Sequence, residues 1–465
     1  MVSMATEAVA STLGAFAASL SYEEIPGPIL HRLKTCVLDV IGNAAGGICR
    51  PNPARLAHAL VQQAGVGSIP VWGTHLTAPP AVAAMVNAAL VCGADFSYGP
   101  VAEIGAGLIP PVVAAGEQIG ADGRDVLVAL TVAHECIFRV IYATVSQRIQ
   151  ELGFYHSGIQ CPPAAAAGVA STLGLSAEEA SWAIGLAAAS GTGTMAMFNE
   201  GAGSSKYIFV GRAAETALHM AALAREGYRC DARIFEEFYL PVYGSGAEDA
   251  EKLTVGLGED FLTRYVRFKL VPACLHSHTP VESAVRLAER GIQPDDVEEI
   301  QVRISTMAEE LVGDWREVRG IVDAQYSAPF LISFVLHTRR RPKVHEFTPE
   351  LLADPSLRTL AARVHVTADP AFDEIEGYGA VPPFANPCQL RAHLKSGETV
   401  EVRVERPKGT YPDLPPDEEI FAKFEDQASL IYQPGTVQSI LETVMALEEL
   451  DAISTLTAKL VPDRF

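Results

Sequence analysis

The stretch Ala164-Ala165-Ala166-Ala167-Gly168-Val169-Ala170-Ser171-Thr172-Leu173-Gly174-Leu175-Ser176-Ala177-Glu178-Glu179-Ala180-Ser181-Trp182-Ala183-Ile184-Gly185-Leu186-Ala187-Ala188-Ala189 decides the fold. Two runs of small apolar residues flank a Gly-Leu-Ser break. Ser176 followed three residues later by Glu179 is a capping box, in which hydroxyl and carboxylate satisfy the open N–H groups of a helix start. Each run is apolar on every side, so each helix is buried, packed closely through Ala and Gly. Such a pair needs more helices around it.

Working outward, the chain reads as helices up to about residue 265. Ile29, Leu33, Cys36, Val37 and Ile41 follow a helical period. Residues 212–226 form a further helix, stopped by Gly227. Near residue 270 the pattern changes. Residues 297–304 alternate in their second half, residues 362–367 alternate throughout, and residues 389–394 and 399–404 read as a hairpin around Ser396-Gly397. Residues 281–290 and 328–336 read as helices between them. After Arg406-Pro407-Lys408-Gly409 the chain is helical again, over 417–428 and 436–447. The expected fold is mainly α: a large, discontinuous all-helical domain (1–269 plus 406–465) with an inserted smaller α+β domain (270–405).

The chain has 465 residues and a formal net charge of −21. That balance opposes binding to nucleic acid or anionic lipid unless a local basic patch supplies it. The only dense basic run is Arg339-Arg340-Arg341 with Lys343, read as a solvated element end. The N-terminus lacks a basic region followed by an apolar one, and apolar runs such as 81–91 fall short of the ~20 residues that span a bilayer. The expectation is a cytoplasmic protein with no nucleic-acid or membrane partner. Eight cysteines are scattered with no Cys-x-x-Cys pair. This argues against structural zinc and clustered iron–sulfur ligands, and for reduced core residues.

No nucleophile elbow and no complete phosphate-binding loop is present. Residues 200–206 lack the spacing of a phosphate cradle; they read either as a glycine turn presenting Lys206 to a carboxylate, or as a surface lysine on a loop. His276-Ser277-His278 would put both rings on one side if it lay on a strand. It is a candidate metal pair without an identifiable third ligand, a candidate acid–base pair, or a hydrogen-bonded pair at a domain junction. His156, at the mouth of the alanine-rich helix, is a pocket residue or a satisfied core histidine. Asp95, in Cys92-Gly93-Ala94-Asp95-Phe96-Ser97-Tyr98-Gly99-Pro100, is a general base or a cap.

Together these segments resemble the MmgE/PrpD family. The resemblance rests on 155–158, 173–176, 201–206, 211–214 and 223–228, on Phe268-Lys269, on 274–278, on 323–330 and on Pro407-Lys408-Gly409, in order over nearly the whole chain. It implies a helical domain with a smaller α+β lid, a site between them, a homodimer, no cofactor and a small carboxylic acid substrate. It places site residues on Asp95, His156, Lys206, Lys269 and His278, with Tyr98, Glu103 and Tyr326 as further substrate-binding candidates. One departure stands out. Where the family usually has Asp-Phe-Asp-Asp-Thr-His and then His-Pro, this chain has Asp95-Phe96-Ser97-Tyr98-Gly99-Pro100, Glu103-Ile104-Gly105 and Leu108-Ile109-Pro110 in a shorter loop. Tyr98 and Glu103 are the candidates for the lost groups.

The resemblance implies proton removal next to a carboxylate, with cations facing the developing charge. The expected function is a cofactor-independent lyase on a di- or tricarboxylic acid, dehydrating a 2-methylcitrate-like or decarboxylating a cis-aconitate-like substrate. Alternatives are a dicarboxylate epimerase, a non-catalytic carboxylate-binding homologue, and, last, a metal hydrolase using His276 and His278.

Overall fold

The computed structural model describes residues 7–99, 103–144, 146–198, 205–313, 318–376 and 385–463. The chain divides into two compact units. The first is helical and takes its chain from the N-terminal part up to Val266 and again from Asp417 onward. The second lies essentially within Arg267–Pro416.

In the helical unit the elements that matter for function are α1 (Val9–Ser19), α2 (Gly27–Ile48), α3 (Pro80–Gly93), α4 (Ile104–Ile119), α5 (Gly123–Ala143), α6 (His156–Thr172), α7 (Ala177–Ala189) and α8 (Ser205–Arg225). The Ser176–Glu179 capping box opens α7, and Asp122 caps α5 by accepting from the Asp125 N–H. Helix α8 packs against α3, α4, α6 and α7, while α6 also packs on α5. Small residues permit these approaches. A Cβ on Gly158 would fall 1.7 Å from the Thr192 carbonyl oxygen, and one on Gly47 of α2 would fall 1.8 Å from that of Leu90 in α3.

One expectation needs correction here. A short ladder, β1 (Ile69–Pro70) with β2 (Thr77–Ala78), interrupts the helical unit. It is held by Asn87 of α3, which accepts from the Trp72 N–H and donates to the Pro70 carbonyl. While residues 81–91 lie in the shorter apolar helix α3, helix α5 is long and apolar enough to cross a bilayer. Its apolar window is 94% buried inside the unit, so its hydropathy reports a core helix.

The second unit contains a four-stranded sheet in the order β4-β3-β5-β6. These are β3 (Val297–Ile304), β4 (Val364–Ala368), β5 (Cys388–Leu394) and β6 (Thr399–Val404). β3 runs parallel to β4 and antiparallel to β5, and β5–β6 is the expected hairpin. The register shifts between Val297 and Glu299, so the alternation of β3 is regular only from Ile300 onward. Helices α9 (His278–Glu289) and α10 (Ala328–Thr338) pack on this sheet and bury its apolar side. The basic run follows α10. Arg340 pairs with Glu346, and Arg341 reaches Glu282 at 2.6 Å, so its charge is largely balanced locally.

The chain closes with α11 (Asp417–Ala428) and α12 (Pro434–Met445), both in the helical unit. α11 lies along α2 and buries Ile420, Lys423, Phe424, Gln427 and Ala428. None of the eight cysteines is in a disulfide; six are buried, Cys230 is half-buried and Cys49 is exposed, so Cys49 departs from the expected core position.

Candidate active site

Three of the expected site residues meet in the helical unit. Lys206, the second residue of α8, places its Nζ 3.1 Å from Asp95 Oδ1 and 3.2 Å from Glu103 Oε1. All three side chains are at most 5% exposed. A lysine in the first turn of a helix faces the positive end of the helix dipole. The two carboxylates offset that and supply the partners a buried ammonium requires. The reading of Lys206 as a surface lysine is thereby excluded. The glycine turn before it, Gly201-Ala202-Gly203-Ser204, lies outside the described residues.

Asp95 follows α3 with φ +50°, in the left-handed region that a non-glycine residue adopts only when its surroundings impose it. Its carboxylate goes to Lys206, and no side-chain cap opens α4, so the capping role weighed for Asp95 is not the one it plays. Glu103 is the residue from which α4 starts. The family-loop segment therefore ends at Glu103: Pro110, expected in the shorter loop, sits inside α4 together with Pro111.

Around this cluster, burial removes competing ionisations. The Tyr155 hydroxyl is pushed well above its ordinary value by burial, with Lys206 pulling the other way and Glu103, Cys92 and Asp95 adding to the rise. Tyr207 is raised for the same first reason. The Cys92 thiol is raised by burial and then by Glu103, and Cys161 is pushed up to about 12. These phenols and thiols are neutral at ordinary pH and can donate hydrogen bonds but not act as thiolate nucleophiles. His156 is the first residue of α6, 7% exposed, with its ring 6.1 Å from that of Tyr155. Tyr155 in turn is anchored through its N–H to the Gly193 carbonyl.

Tyr98 is used differently from the expectation. Its hydroxyl lies 2.6 Å from His134 Nε2, and the two rings stack at 5.7 Å. His134 Nδ1–H donates to the Leu130 carbonyl at 2.6 Å, so Nε2 accepts the tyrosine proton. Burial lowers His134 to about 4, which keeps it neutral. Tyr98 is fully buried and pins the loop that carries Asp95.

The remaining expected residues belong to the second unit. Lys269 is 5% exposed and donates to the Ala273 carbonyl at 3.1 Å. His278 is 2% exposed and starts α9, while His276 lies in the tight turn before it; neither is on a strand, so the geometry that suggested a metal pair is not formed. Tyr326 is part of that unit's apolar core.

Sequence reasoning passed over His134, Asp39 and Lys423. Asp39 of α2 accepts from Lys423 Nζ at 2.6 Å, from the Tyr98 N–H at 3.1 Å and from Asn43 Nδ2 at 3.1 Å. Each of these residues stands in an otherwise apolar helical stripe, and that is the signal that could have found them.

Fold and site together define a two-unit, mainly helical protein that buries a lysine between two carboxylates in its helical unit. Comparison with known sequences narrows this. The model of the MmgE/PrpD N-terminal domain matches residues 11–244 and that of the MmgE/PrpD C-terminal domain residues 271–449, so the chain belongs to the MmgE/PrpD family. A cis-aconitate decarboxylase of Aspergillus terreus is 26% identical over 98% of this chain and 96% of its own length. A cis-aconitate decarboxylase-like protein, oryM of Aspergillus oryzae, is 26% identical over 94% of each chain. The human cis-aconitate decarboxylase is 23% identical over 93% of this chain and 90% of its own. Family and relatives support a lyase-type function.

Proposed function

We propose that the protein is a cofactor-independent lyase that decarboxylates a small, cis-aconitate-like di- or tricarboxylic acid. The observation that carries this reading is the buried Lys206 held between Asp95 and Glu103, whose charges are felt by the buried Tyr155 hydroxyl. In the reaction the bond to one carboxylate breaks and carbon dioxide leaves. The electron pair stays on the carbon framework, and a proton is added to carbon. Lys206 provides positive charge against the electron-rich species, where preorganised charge is most effective. The carboxyl groups of Asp95 and Glu103 and the His156 ring are the groups that hold or deliver the proton. The names of the relatives favour decarboxylation over dehydration or epimerisation, which the same groups could serve.

The test is an NMR screen in deuterated water with chelator-treated protein. cis-Aconitate, citrate, 2-methylcitrate and aspartate-derived dicarboxylates are followed for loss of carbon dioxide, alkene formation and deuterium uptake. Lys206→Ala, Glu103→Gln and His156→Ala are run alongside. Decarboxylation lost in the variants is the expected result. Deuterium uptake without carbon loss assigns an epimerase instead, and turnover retained in all three variants removes this site from the chemistry.

A further inference from the structure

The Asp95 loop is held by a second buried ion pair on the side of α2 and α11. Lys423 Nζ lies 2.6 Å from Asp39 Oδ1 and donates to the Phe96 carbonyl at 2.6 Å, directly after Asp95. The same ammonium sits 3.8 Å from the centre of the Phe96 ring. The other oxygen of Asp39 accepts from the Tyr98 N–H. Lys423 and Asp39 therefore grip the loop at the residue after Asp95 and again at the third residue after it, with side chains 5% and 0% exposed. On its far side the loop is closed by Tyr98 on His134 and by Gly105, where a Cβ would fall 2.5 Å from the Tyr98 ring.

We propose that Lys423 and Asp39 are positioning residues for Asp95: their ion pair fixes the loop so that Asp95 keeps its left-handed backbone and its carboxylate on Lys206. A loop whose only task was to cover the core would not need a charged pair. The pair is costly to bury, and apolar side chains of similar volume would fill the space as well. What they could not supply is directional bonds to one carbonyl and one N–H of the loop. Holding a reacting group within a fraction of an ångström is the use such bonds serve around active sites. The C-terminal helical segment, which returns after the second unit, then becomes a requirement for the site.

The proposal rests on the reading that Asp95 takes part in proton transfer, and two independent readouts separate the two. The first is amide hydrogen exchange at Tyr98 and its neighbours in full-length Lys423→Met, which removes the ammonium without touching the Tyr98 bond itself. Protection at Tyr98 should fall at least tenfold, while amides of α6 remain as in the wild type. Unchanged protection overturns the proposal, whatever the protein's activity. The second readout is turnover. Lys423→Met should lower kcat on the order of 10–100-fold with KM nearly unchanged, since positioning affects the reacting geometry more than binding, and Lys423→Arg should restore part of it. Lys423→Met alone leaves the buried Asp39 carboxylate without this cation, so the Asp39→Asn/Lys423→Met double variant removes both charges together. Stability restored with kcat still low is the expected outcome. Stability and kcat restored together show that the pair serves only the fold and overturn the assignment.

Discussion

Acidification should destabilise the helical unit through a single histidine, and the size can be worked out. His134 is fully buried, receives the Tyr98 hydroxyl on Nε2 and is lowered by burial to about 4. In the unfolded chain its value returns to about 6.5. Below 6.5 the unfolded chain binds a proton that the folded protein refuses, so stability is full above that value. It is lost as pH falls toward 4 and levels off below. The whole window is worth about 3 kcal/mol, and about 2 kcal/mol of it is gone at about pH 5. For a unit of this size that is roughly 4 °C in melting temperature. The assay is thermal unfolding at about pH 7.5 and about pH 5 for the wild type and for His134→Gln, which retains a donor and an acceptor but cannot titrate. Other groups titrate equally in both, so the difference between the two pH shifts isolates His134. A variant that loses as many degrees as the wild type refutes the argument, as does an NMR titration placing the His134 ring near 6.5.

Three further outcomes are expected. Lys206→Met leaves two carboxylates buried side by side without their cation; it should cost about 3–5 kcal/mol, as broken buried pairs do, and abolish turnover. A loss under about 1 kcal/mol in urea unfolding would class the cluster with exposed ion pairs. Gly158→Ala drives a Cβ into the Thr192 carbonyl, so α6 must shift at a cost of about 1–3 kcal/mol; an unchanged melting temperature would deny that close approach. In the second unit His278→Gln keeps a polar side chain but removes the titrating ring, and should lower kcat by about 100-fold if that ring handles a proton. Wild-type kinetics would leave the proton to Asp95, Glu103 and His156, as proposed above.

Much of the fold was legible because its periodicities are strong. The capping box at Ser176, the all-round apolar helices and the alternation of β3 to β6 each report a local rule that the packing obeys. What escaped was the part governed by tertiary context. The family motif puts Pro110 at the end of the altered loop, yet it lies within α4. Helix α5 contains no long apolar run, because its buried His134, Glu135 and Arg139 interrupt it without weakening the helix. The site divides in the same way. Asp95 follows an apolar helix, Lys206 follows a glycine turn and Glu103 stands out only through the family resemblance, and the chain brings their charges together. Asp39 and Lys423 carry no motif. They are single charged residues within apolar stripes of α2 and α11, far apart in sequence. A lone lysine among Ile420, Phe424 and Ala428 must bring its own partner inside or be excluded from the interior. Charged residues out of phase with a helix's polar face are thus a usable signal for the groups that hold a site in place. Tyr98 shows the converse: a residue chosen because it occupied a family position is committed to His134, and its contribution is to fix the backbone that presents Asp95.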